Sequence, residues 1–191
     1  MVHVKVVCVG MKGVDINKLT DPLLTRHLGS SYLKNLGMSL GRAKFQFFER
    51  GKKVSELFTH MWRMHADSIV MRAMFPRYIV GANILIIIFK DTKISTFSEM
   101  NELIRITREQ WGDIPIFLIA DLTETRKGSR CNFDEAYLHR FYSNHKCTDL
   151  LYLSREENID MENLFINILG IYDAMRHSCR LNVGSDMRDI F

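Results

Sequence analysis

Little in this chain punctuates or cross-links it. Only 3 of its 191 residues are proline, so proline can limit helices at few places. The cysteines, Cys8, Cys131, Cys147 and Cys179, form no Cys-x-x-Cys pair and have no histidine at ligand spacing. No stretch reads as a signal peptide, so free thiols in a reducing, cytoplasmic setting are expected. No apolar run approaches the roughly 20 residues of a membrane helix. Lipidation signals are missing as well, since Val2 follows Met1 and Cys179 lies well upstream of Asp189-Ile190-Phe191. A membrane anchor is therefore not expected. Nor does one sign of charge dominate: the formal net charge is +4. Basic residues gather loosely at Arg42, Lys44, Arg50, Lys52 and Lys53, and again at Arg126, Lys127 and Arg130. Neither group is a run interleaved with aromatics, so a solvated surface is expected rather than a nucleic-acid footprint.

What is present is a globular balance, 47% hydrophobic and 25% charged, in a length that suits one domain with a sizeable core. The expected domain spans 1–178, followed by a polar, frayed tail over 179–191. Its organising stretch is Asn83-Ile-Leu-Ile-Ile-Ile-Phe89, which reads as a strand buried on both faces in a mostly parallel sheet. Val4–Val9, Ile114–Ile119 and Leu150–Leu153 are further strands. Lys44–Phe48 and Val54–Phe58 flank a charged, glycine-bearing link and read as an antiparallel edge hairpin.

Helical spacing recurs between the strands. Ile16 to Leu24 predicts a short helix disturbed by Pro22, and Asp67 to Tyr78 one limited by Pro76. Ser95 or Thr96 is expected to cap a helix with Phe97, Met100, Leu103, Ile104 and Trp111 inside. Asn132 to Glu135 has capping-box spacing before Tyr137, Leu138 and Phe141. Asp160 is expected to cap the last helix, with Met161, Leu164, Phe165, Ile168, Leu169 and Tyr172 on its buried side.

This order of elements resembles the Ras-like small GTPases over residues 4 to about 175, and so does the local text. Trp62, then Arg77-Tyr-Ile-Val-Gly-Ala82, is similar to that family's second switch and the Tyr-x-x-Gly-Ala before its central strand. Asp91-Thr-Lys-Ile-Ser-Thr-Phe97 resembles its Asp-x-Thr-x-x-x-Ser/Thr-Phe, and Leu153-Ser154 leading to Met161-Glu-Asn-Leu-Phe165 its Ser-Ala-Lys region and final helix. The resemblance implies an α/β fold, with an open, mostly parallel six-stranded sheet, one antiparallel edge hairpin and helices on both faces.

The chemistry of that family does not follow. A phosphate loop needs backbone N–H groups and a lysine around the phosphates, and a Ser/Thr hydroxyl on Mg²⁺. Gly10 and Gly13 stand at matching places, but Asp15, Ile16 and Asn17 replace the next glycine, the lysine and the Ser/Thr. A carboxylate about 4 Å from a phosphate costs roughly 4 kcal/mol at a surface-like dielectric, about a thousandfold in affinity. Lys18 comes two residues late, about 200° round a helix, and Lys12, inside the loop, is not expected to make good the loss. Asn35 takes the place of the switch threonine, Arg63 that of the Mg²⁺-side aspartate, and Asp67 that of the water-positioning glutamine. Asp121 and Glu124 lie where Asn-Lys-x-Asp would read guanine, and Ser154 is followed by Arg155 and Glu156.

A pseudo-GTPase is therefore expected, a protein-binding or scaffold module without GTP hydrolysis and without a cofactor. The alternative is a divergent GTP-binding protein that uses Lys12, Asn17, Asn35 and Glu124 in altered roles. Only that alternative calls for GTP or GDP with Mg²⁺. A third reading is a nucleic-acid adaptor on the basic hairpin. His60 and His65, near Asp67, lack a further ligand at fixed geometry and are expected to be ordinary surface or hydrogen-bonded histidines rather than metal ligands. A protein partner is expected on the hairpin, Lys44 to Phe58, together with Met64, Met71, Met74 and Arg72, because thioethers adapt to partners and edge strands offer unpaired backbone. The competing expectation is that these methionines fill core.

Overall fold

A computed structural model describes residues 2–28, 38–49, 52–90, 93–122, 134–154 and 160–186. Ile84–Phe89 forms strand β5, buried at all six positions. Parallel neighbours hydrogen-bond along both of its edges: β1 (Val2–Gly10) and β6 (Ile116–Asp121). Helices cover both faces, and the alternation of side chains assigns each residue to one of them. Leu85, Ile87 and Phe89 join a core with α2 (Ile69–Tyr78), α3 (Ile94–Trp111) and α4 (Glu135–Asn144). Ile84, Ile86 and Ile88 join a second core with α1 (Ile16–Thr20) and α5 (Met161–Asp186). Each such side chain contributes about 1.5–3 kcal/mol by leaving water.

The remaining strands are β2 (Arg26–Leu28), β3 (Met38–Glu49), β4 (Lys52–His65) and β7 (Asp149–Leu153), in the order β2-β3-β4-β1-β5-β6-β7. The fold is thus α/β with a mixed sheet. The six expected strands are joined by a seventh, the three-residue β2, which pairs antiparallel outside the hairpin. The hairpin itself is much longer than its two apolar patches, because β4 also pairs in parallel with β1 from Leu57 to His65. Trp62 to His65 is therefore strand.

Some helix ends match expectation and others differ. Pro22 lies in a short 3₁₀ turn, Asp21–Leu23, and Pro76 lies inside α2, which ends two residues later. Lys93, not Ser95 or Thr96, precedes α3. Trp111 turns outward, 42% exposed, because its indole N–H donates to the Ala82 carbonyl at 2.7 Å. Asp134 caps α4 by accepting from the Tyr137 amide, while the expected cap Asn132 lies outside the described residues. Asp160 accepts from the Asn163 amide at 2.9 Å, as its sequence position suggested. Helix α5 then runs to Asp186, into the expected frayed tail.

Candidate functional site

The C-terminal ends of parallel strands are where open α/β sheets place ligand crevices. Here β1 ends at Gly10, β4 at His65 and β6 at Asp121. Gly10, Lys12, Gly13, Asp15, Ile16, Asn17 and Arg63 come together around the end of β1; the Gly10 carbonyl accepts from the Ala66 amide at 2.9 Å. Asp121 is two strands away and Ser154 follows β7. Asn35 and Glu124 lie outside the described residues.

Both glycines of the loop have packing or backbone reasons of their own. A Cβ on Gly10 would lie 3.1 Å from the Ile16 Cβ and 3.3 Å from Val14. Gly13 sits at φ +86°, a left-handed conformation that suits glycine. Two loop amides are already committed: Met11 donates to Ile88 and Val14 to Met11. The Asp15 carboxylate accepts from the Lys18 amide at 3.0 Å, capping α1 with its own charge. Ile16 is fully buried against the α5 core. Lys12 is exposed.

Asn17 is held from two strands. Its side-chain oxygen accepts from the Ser39 hydroxyl at 2.6 Å, and its amide nitrogen lies 3.3 Å from His65 Nε2. Arg63, only 2% exposed, passes beneath α1 to donate to Thr20 Oγ1 at 3.1 Å and to the Asp21 carboxylate. Its Nε is buried without a hydrogen-bond partner among the described residues. The neighbouring Cys8 is buried, which pushes its thiol up to about 12 even though Arg63 pulls the other way. Such a thiol is a poor nucleophile at neutral pH. Asp121, 4% exposed, lies 3.7 Å from Lys90 Nζ.

The expected methionine face needs correction. Met64 is 1% and Met71 3% exposed, both in the core under α2, because β4 continues through Met64 and turns it inward. Met74 is half-buried. Arg72 fastens α2 to its surroundings through the Ala66 carbonyl at 2.7 Å and Glu99 at 2.8 Å. Lys44 is exposed and pairs with Glu56 at 3.1 Å, beside a half-buried Phe58.

His60 and His65 cannot share an ion. They are five residues apart on one strand and so face opposite sides of the sheet. His65 meets Asn17, whereas His60 Nε2 lies 3.2 Å from His3 Nδ1. Burial, then Arg42 and His3, hold His60 below the usual histidine range. Sequence reasoning missed His3, Lys5 and Ser39 as members of polar clusters. The strand parity of 58, 60 and 62 was the available signal, hidden because β4 was read as ending at Phe58. No protein-family model and no curated protein sequence matches the chain.

Proposed function

We propose that the chain is a pseudo-GTPase, a Ras-like fold retained as a protein-binding or scaffold module that does not hydrolyse GTP. One observation carries this: Ile16, where the phosphate-binding lysine would stand, is fully buried, and the preceding Asp15 carboxylate occupies the start of α1. The pair supports loss of phosphate binding on two counts, a missing cation and a fixed anion. Arg63 adds to it, since a buried cation opposes Mg²⁺ nearby. With Met64 and Met71 in the core, the partner surface rests on the hairpin around Lys44 and Phe58; Arg72, bonded to Ala66 beyond the far end of β4, and Met74 on the same helix lie apart from it. No described helix is long and apolar enough to cross a membrane, and the proposed setting is cytoplasmic.

Purified protein is expected to carry no GDP or GTP on extraction and chromatography, and millimolar Mg²⁺-GTP is expected to leave its melting temperature unchanged. A ligand at a hundred times its Kd would add about 2.7 kcal/mol, so the thermal test is sensitive. Stoichiometric nucleotide in the extract would overturn the proposal in favour of a divergent GTP-binding protein.

A further inference from the structure

Sheet register brings a second surface together far from the loop. On the α2 side, β3, β4 and β1 place Lys44 beside Phe58 beside His3, and Arg42 beside His60 beside Lys5. Each row runs from a cation on β3 through a ring on β4 to a ring or cation on β1. The rows are two residues apart, about 6.7 Å along the strands, comparable to the step between nucleotides of an unstacked strand. The rings touch: His3 lies with its centroid 5.7 Å from Phe58 and 5.5 Å from His60. Lys44 sits 5.3 Å over Phe58, while the Lys5 ammonium sits 4.4 Å over the next ring, Trp62, and donates to the Val80 carbonyl at 2.7 Å. His3, Arg42 and Lys44 are exposed, and Lys5, Phe58 and His60 half-buried. The acid beside this surface, Glu56, is neutralised by Lys44 and Lys53, while Arg42 makes no ion pair among the described residues.

We propose that this face of β3, β4 and β1 binds single-stranded nucleic acid, its rings stacking on bases while Arg42 and Lys44 follow the phosphates. Charge complementarity favours a polyanion, and the ring row selects among polyanions. A single strand offers π faces with its charges, whereas an acidic protein segment or a duplex would engage the cations and leave the rings without stacking partners. Sequence order hid the pattern, because cations and rings are interleaved across strands instead of along one. The site does not depend on the loop after β1: His3 and Gly10 are seven positions apart along the strand, about 23 Å.

The test is fluorescence anisotropy of a fluorescein-labelled oligouridylate titrated with the full chain over a range of salt. Binding is expected with a log K against log[salt] slope of about −1.4, from two cations at about 0.7 each. Phe58→Leu and His60→Leu, which keep apolar bulk but remove a π face, should each weaken binding about tenfold. Arg42→Gln should reduce the slope by about 0.7. Thermal unfolding checks that each variant folds, and the exposed His3→Leu gives the same ring readout if a β4 variant does not. No binding at low salt would overturn the proposal. So would equal competition by polyphosphate, duplex or poly-glutamate, or affinity unmoved by the ring substitutions. GTP plays no part in these measurements, so their failure and the failure of the pseudo-GTPase proposal are distinguishable; Lys44 and Phe58 serve both proposed surfaces, so a protein partner bound there would be displaced by the oligouridylate.

Discussion

Arg63 is a cation 2% exposed whose partner carboxylate, Asp21, is 48% exposed at its side chain. Removing one member of a fully buried pair costs about 3–5 kcal/mol. The solvent around Asp21 screens part of that, so Asp21→Asn is expected to cost about 2 kcal/mol in urea unfolding. Arg63→Met fills the space without a charge and is expected to be neutral or mildly stabilising, an ordering that unequal partner burial dictates. The reverse ordering would show that the cation itself holds α1 in place. Cys8 supplies a second residue-scale prediction. Unfolded, its thiol ionises near 9.0, while the folded one keeps its proton to about 12. The folded state therefore binds more protons between those values, and stability is full below pH 9 and falls as pH rises above it. Cys8→Ala should flatten the decline in urea midpoint between pH 8 and pH 10 under reducing conditions; an unchanged slope would assign the decline to other groups.

Among the elements, the loop and α1 bear on whether editing two positions would give the chain a nucleotide site. Asp15→Gly removes a cap, at a cost of a few tenths of a kcal/mol. Ile16→Lys is far harsher, because it forfeits buried aliphatic packing, worth about 2–5 kcal/mol in comparable truncations, and drives an ammonium into the core. The double variant is expected to lose most of its stability in urea and to show no micromolar GTP binding by titration. Native-like stability with micromolar affinity would mean the lysine finds a path to the crevice. The sequence made β1, β5 and β6 easy to locate, since continuous apolar runs betray strands covered on both faces. It was less informative for β4. Thr59, Arg63 and His65 interrupt its apolar text, and only pairing with β1 and β3 holds that segment extended. Once β4 was cut short, Met64 looked like a surface thioether and the partner face moved with it. Asp15 and Ile16 were legible as misfits in a phosphate loop, but the Ser39 and His65 grip on Asn17 depends on strand pairing that no local pattern encodes.

At the scale of the molecule, the sheet keeps the two cores apart, one under α2, α3 and α4, the other under α1 and α5. Ile104 lies in the first and Ile168 in the second. Ile→Val at either is expected to cost about 0.5–1.5 kcal/mol, and the double variant should equal the sum within about 0.5 kcal/mol. A larger coupling energy from the double-mutant cycle would show strain crossing the strands. If the sum holds, the sheet acts as a firebreak between two populations of side chains. Compensating substitutions would then arise among residues on the same side, and the side that carries Arg63 could stay frozen around its buried charge while the other drifts.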